Sequence, residues 1–263
     1  MREARFDAEA PFVSQALRAA AVICRTEHGN LHAGVLHFAS SGQAAVLNLA
    51  WQDNLRYEWS WPKLWAAPDV EPEILVSVAG MCRLIWDEFT KTREFPYGLR
   101  FSNTSFDTAG RLKLGPGARG LTCATFVLAV FDSVGVRLVD ESDWPVRSDD
   151  DREYLKFVGS FATPEHFQLL QREVEDGCKR IQPQEVVGAC LCSLPAKFQP
   201  SAQAGERALQ KLAIAPLPQP VRTVSPSVDT QALPPGARGV PSKDGSVEPT
   251  LVQGTDATGV DRE

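Results

Sequence analysis

Gly120-Leu121-Thr122-Cys123-Ala124-Thr125-Phe126-Val127-Leu128-Ala129-Val130-Phe131 is the stretch on which the fold of this chain turns. Thr122 has the side chain of an N-cap and Gly135 that of a stop, so the pattern predicts a helix over Cys123–Val134. The helix is apolar nearly all round, which places it inside the core. Cys123 then occupies the first turn, beside backbone N–H groups without helical partners and at the positive end of the helix dipole. Both features favour thiolate over thiol, and the same N–H groups can hold an oxyanion. The glycine-rich approach Gly115–Gly120 is read as leaving room for substrate beside the sulfur. Taken alone, Cys123 is better read as a small apolar residue of a buried helix, and His32 and Asn48 shift that balance.

Outward from this helix the periodicities are mixed. Pro11–Ala21 has helical spacing, with Phe12, Ala16, Leu17 and Ala20 on one face. Leu31–Phe38 and Ala44–Trp51 read as two strands joined through Ser40-Ser41-Gly42. Pro72 opens a helix whose apolar residues Ile74, Val78, Met81, Cys82 and Ile85 recur up to about Thr92. Gly98–Ser102 and Arg111–Leu114 read as short strands, Thr163-Pro164-Glu165 opens a helix to about Arg180, and Pro183-Gln184-Glu185 opens another. Strands and helices do not alternate regularly, so the fold class is α+β rather than a doubly wound sheet.

Leu31-His32-Ala33-Gly34 puts a histidine near the start of a strand, with a residue lacking a side chain two positions on and pointing the same way. A base so placed can approach a helix N-terminus closely. On the next strand Asn48 is a polar residue inside the apolar run Val46–Ala50. A buried amide needs a partner, and a histidine Nδ1–H is one. That bond would leave Nε2 free to take a proton, making Cys123, His32 and Asn48 a nucleophile, base and orienter.

These segments, LHAGV, VLNLAW and GLTCATFV between His32 and Val134, together resemble the circularly permuted branch of the NlpC/P60 superfamily, which includes the lecithin:retinol acyltransferase-like proteins. The resemblance implies a papain-like fold, with a small antiparallel sheet packed on a buried nucleophile-bearing helix plus extra helices. It implies a thiol-dependent hydrolase or acyltransferase working through a covalent thioester on a peptide, amide or other acyl substrate. Cys123 matches the nucleophile and His32 the base, while Asn48 stands where that branch commonly has a second histidine. Tyr97 and Phe101 fall where an aromatic strand precedes the nucleophile loop, with no role assigned. The alternative on the same fold is a catalytically inactive relative acting as a binding or adaptor module.

The other signals are weaker. Gly115–Gly120 spells GxGxxG without a leading βαβ unit, so it is a turn delivering Cys123 and not a dinucleotide site. His37 points to the opposite strand face from His32, His28 is read as a solvated residue of a polar turn, and His166 as structural. Trp51, Trp59, Trp61 and Trp65 are expected to pack together, and Asp149–Asp151 to be a solvated loop or helix start. Six scattered cysteines lack paired zinc spacings, so neither a metal nor any other cofactor is expected. A net charge of −6 and a pI near 5.4 speak against nucleic acid as a partner. No apolar run approaches the roughly 20 residues of a membrane span. The amino-terminal residues show no secretory pattern, so a cytoplasmic protein is expected.

The composition changes near Gln199. From there on proline, serine and glycine dominate and no aromatic residue occurs, so 199–263 is expected to be a disordered tail following a domain over 1–198. A short helix at Gly205–Leu212 is expected within it. Its segments PLPQP and ALPPG are candidate polyproline II contacts for a protein partner.

Overall fold

A computed structural model describes residues 5–6, 17–26, 29–38, 42–58 and 64–214. All of them belong to the unit Met1–Pro220; the second unit, Val221–Glu263, lies outside the described residues. The architecture is α+β. Six strands, β1 (Arg5–Phe6), β2 (Ala19–Arg25), β3 (Leu31–Phe38), β4 (Ala44–Trp51), β5 (Asn54–Glu58) and β6 (Leu64–Ala66), form one sheet in the order β1-β6-β2-β3-β4-β5. Every pairing in it is antiparallel. Six helices follow the sheet: α1 (Pro72–Thr92), α2 (Cys123–Asp132), α3 (Ser148–Val158), α4 (Pro164–Glu175), α5 (Pro183–Cys190) and α6 (Phe198–Ile214). A two-stranded ribbon, β7 (Ser105–Phe106) with β8 (Leu112–Lys113), lies between α1 and α2. No helix among the described residues is long and apolar enough to cross a membrane.

The sheet is buried on both faces, and this explains its sequence. Ala19, Ala21 and Ile23 of β2, Ala33 and Val35 of β3, and Leu47 and Leu49 of β4 join the principal core. Helices α1, α2 and α5 pack on that side. The intervening Ala20, Val22, Leu36 and Val46, with Trp65, make a second, smaller cluster. A strand covered on both sides reads as a continuous apolar run instead of an alternating one. This corrects the helix expected over Pro11–Ala21: Ala19–Ala21 begins the central strand β2, and 11–16 lie outside the described residues.

Helix α1 has the limits that Pro72 and the apolar spacing suggest, and it closes with Arg93 in the left-handed region at φ 57°. Helix α2 starts where Thr122 places it and ends at Asp132, two residues early, with Gly135 at φ +84° redirecting the chain. Gly98–Ser102 is not a strand. Its N–H groups go to carboxylates instead, Leu99 N–H to Glu173 Oε2 (2.6 Å) and Ser102 N–H to Glu141 Oε1 (3.1 Å). Ser102 and Asn103 then both take positive φ, which ends any extended run. The acidic run Asp149–Asp151 opens α3, where carboxylates complement the helix dipole. Helix α4 stops at Glu175, short of the expected Arg180.

The boundary expected at Gln199 falls inside a helix. Helix α6 runs Phe198–Ile214, longer than the expected Gly205–Leu212, and lies against α5. Ala204, Ala208 and Leu212 recur at helical spacing on its buried side. Two of the three are alanines, which is why composition alone hides the helix. The remainder, 215–263, lies outside the described residues, as do the two proline-rich segments. The expected tryptophan cluster also separates. Trp65 belongs to the smaller cluster of the sheet, whereas Trp51 packs on Tyr97 with ring centroids 4.1 Å apart; Trp59 and Trp61 lie outside the described residues.

Candidate active site

Capping decides which backbone groups Cys123 meets. Thr122 Oγ1 accepts from Thr125 N–H (3.2 Å), while Thr125 Oγ1 accepts from Thr122 N–H (2.7 Å), a reciprocal box. Phe126 N–H makes the first intrahelical bond, to Thr122 O (2.8 Å). The N–H groups of Cys123 and Ala124 are therefore the ones left over at the tip of α2. The Ala124 N–H is directed at the Cys123 sulfur, and so is the N–H of Ala33 on β3.

His32 is hydrogen-bonded to Cys123 and also to Asn48, through Nε2···Oδ1 at 2.8 Å. An amide oxygen only accepts, so Nε2 carries a proton and Nδ1 is the nitrogen turned to sulfur. The expectation from sequence had the two nitrogens the other way round. The register explains the difference. His32 reaches Asn48 past Gly34, where an added Cβ would sit 3.0 Å from Asn48 Cβ and 2.9 Å from Leu47 O. The missing side chain lets β3 and β4 approach closely beside Asn48.

The electrostatics follow from these contacts. Burial raises the Cys123 pKa, but the His32 charge, the His32 hydrogen bond and the N–H groups of Ala33 and Ala124 outweigh it, so the thiol lies below its ordinary value. Burial lowers that of His32, and the Cys123 thiolate, the hydrogen bonds to Cys123 and Asn48 and the Glu58 carboxylate outweigh that, so it lies above its own. Both shifts favour the thiolate–imidazolium form of the pair. Four other cysteines, Cys24, Cys82, Cys178 and Cys190, are buried and pushed upward mainly by burial, those of Cys178 and Cys190 to about 12. Cys192 is half-buried like Cys123, yet burial leaves its pKa raised. Cys123 is the thiol whose surroundings lower it.

Cys123 opens onto a cleft of about 380 Å³, lined among others by Leu31, Tyr97, Tyr154, Phe157, Arg180 and Gln182. Sequence reasoning assigned no role to Tyr97 and missed Tyr154, Arg180 and Glu58. Tyr97 and Tyr154 are hydrogen-bonded through their hydroxyls, and burial pushes both upward, Tyr154 to about 12. Both hydroxyls therefore stay protonated at neutral pH; one donates to the other, and the second keeps its O–H. Glu58 is placed by the β4–β5 register, opposite Val46, with its pKa raised by burial. No local sequence signal marks these residues, because four separate elements bring them together.

The other histidines lie apart from the pair. His37 is fully buried, packs against Tyr57 at 5.4 Å and is pushed down to about 4 by burial. His166, in the first turn of α4, stacks on Trp51 at 5.5 Å and bonds Gln52. His28 lies outside the described residues. Among the described residues no three His, Cys, Asp or Glu side chains gather as a metal-binding group.

The glycines before Cys123 have a different purpose from the one expected. Gly120 is buried, and a Cβ there would stand 2.4 Å from Pro96 O and 2.5 Å from the Tyr97 carbonyl carbon. It makes room for backbone, not for substrate, and Leu121 N–H bonds Pro96 O (3.1 Å) across the same approach. Gly120→Ala is expected to destabilise by about 1–3 kcal/mol. It should also slow Cys123 alkylation, because the loop that seats α2 must shift. Urea unfolding together with labelling rates checks both.

Compared with protein-family models, with curated proteins and with solved structures, the chain matches none.

Proposed function

We propose that this protein is a thiol-dependent hydrolase or acyltransferase of papain-like design, in which Cys123 is the nucleophile, His32 the general acid and base, and Asn48 the positioning residue. The observation that carries the reading is the hydrogen-bonded line from Cys123 through His32 to Asn48, seated at a helix N-terminus on the wall of a cleft. The thiolate attacks an acyl carbon; the new C–S bond forms as the carbonyl electron pair moves to oxygen. With the Ala124 N–H on the sulfur, the Cys123 N–H is the donor left at the tip of α2 to offset the charge on that oxygen. The intermediate collapses, the bond to the leaving nitrogen, oxygen or sulfur breaks, and the His32 imidazolium supplies the proton. Water or another acceptor then gives its proton to His32 and attacks the thioester, releasing the acid or transferred product and restoring the thiolate.

Tyr97 and Tyr154 line the approach to the sulfur. The test is to trap the covalent intermediate. Incubation with p-nitrophenyl acetate should add one acetyl group to Cys123, seen by mass spectrometry, with a burst of p-nitrophenolate that Cys123→Ala abolishes. Absence of adduct and burst across activated esters and thioesters would overturn the enzyme reading in favour of a binding module on the same fold.

A further inference from the structure

Among its described lining residues the cleft contains no acidic side chain, and its one formally charged residue apart from the Cys123–His32 pair is Arg180. The guanidinium is anchored by two contacts. Its Nε donates to Asp151 Oδ1 at 2.6 Å and its Cζ lies over the Tyr154 ring, 4.5 Å from the centroid, and the side chain is only 11% exposed. Its backbone is fixed too, because the Arg180 carbonyl accepts from Arg147, which also pairs with buried Glu185. Asp151 is itself 1% exposed and so cannot swing away.

With Nε occupied, the two terminal nitrogens form the free edge of the fork. Among the described residues neither donates to a protein acceptor, and Arg180 lines the cleft. Tyr154 connects this edge to the nucleophile: its ring carries Arg180 on one side, and its hydroxyl is bonded to Tyr97, with both tyrosines close enough to feel the Cys123 charge.

Resting on the reading of Cys123 as nucleophile, we propose that Arg180 is a specificity-determining residue and that the acyl substrate bears a carboxylate about one tyrosine ring away from the carbonyl under attack. A planar guanidinium held by a carboxylate on Nε presents its remaining donors in the geometry of a second carboxylate. A carboxylate fits better than a phosphate dianion, because Asp151 already offsets part of the single positive charge.

The test uses two reagents that alkylate Cys123 with loss of iodide and differ only in charge, N-(iodoacetyl)glycine and N-(iodoacetyl)glycinamide. The full chain should react with the carboxylate form preferentially, and Arg180→Lys should reduce the ratio of the two rates about tenfold. Lysine keeps a cation for Asp151 but loses the fork. A second measurement needs no variant: glutarate should protect Cys123 from the glycinamide reagent better than glutaramide or inorganic phosphate does. An unchanged ratio in Arg180→Lys, or equal protection by glutarate and glutaramide, overturns the carboxylate assignment while Cys123 remains reactive. Stronger protection by phosphate shows that a phosphate is the preferred anion and also overturns it. A Cys123 inert to both reagents overturns the nucleophile reading itself, a distinguishable result.

Discussion

Replacing His32 by alanine is expected to slow alkylation of Cys123 at neutral pH by about tenfold or more, the equivalent of at least one pKa unit. The sign follows from the balance at the sulfur. Burial opposes ionisation, while His32 supplies the two leading influences that overcome it, its charge and its hydrogen bond. Without His32 only the N–H groups of Ala33 and Ala124 remain against burial. The midpoint of the rate–pH profile should therefore rise from below the ordinary thiol value of about 8.5 to near or above it. In the intact protein the rate should hold as pH falls, until it drops through the lowered pKa of the pair. Cys192 provides the internal comparison, since it is similarly exposed but has a raised pKa. Iodoacetamide labelling resolved by mass spectrometry reads both thiols in one experiment. Parallel profiles for the two would remove the activated nucleophile, and the search would turn to binding partners.

The largest loss of stability is expected at Glu185, in the first turn of α5. Its carboxylate is 2% exposed and accepts from Trp144 Nε1 at 3.1 Å, from Gln182 N–H at 2.8 Å and from the Arg147 guanidinium. Glu185→Ala removes every one of these acceptors while leaving the Arg147 charge largely buried. Breaking a buried pair from one side costs about 3–5 kcal/mol. For a domain of this size that corresponds to a fall in Tm of about 10 °C. Thermal unfolding followed by circular dichroism checks it. The same substitution should loosen Gln182–Gln184 and the Arg180 carbonyl, both tied to this network, so charge selectivity at the cleft should fall with it. A Tm within two degrees or so of the unsubstituted protein, by the same scaling, would show the network to be a marginal contributor.

Much of the frame is local and could be read directly. Pro72 and the spacing of Val78, Met81, Cys82 and Ile85 delimit α1, because a helix start and a 3.6-residue repeat need only neighbours in the chain. Thr122 before Cys123 places the start of α2 for the same reason, and the capping box is complete within four residues. The alternation along β3 and β4 puts His32 and Asn48 on adjoining strands. Local rules failed where burial comes from distant partners. Ala19–Ala21 looks helical until the sheet covers it on both faces, and α6 looks like tail until α5 buries its alanines.

The sequence by itself determined an α+β class, the helix that carries Cys123, and a histidine and an asparagine on neighbouring strands. Only the tertiary structure decided that His32 meets Asn48 through Nε2, because that depends on how β3 and β4 pair. It also decided that Tyr97, Tyr154 and Arg180 form the cleft wall. Their meeting depends on how α3 and the segment before α5 close over the tip of α2, a matter of packing between elements far apart in the chain.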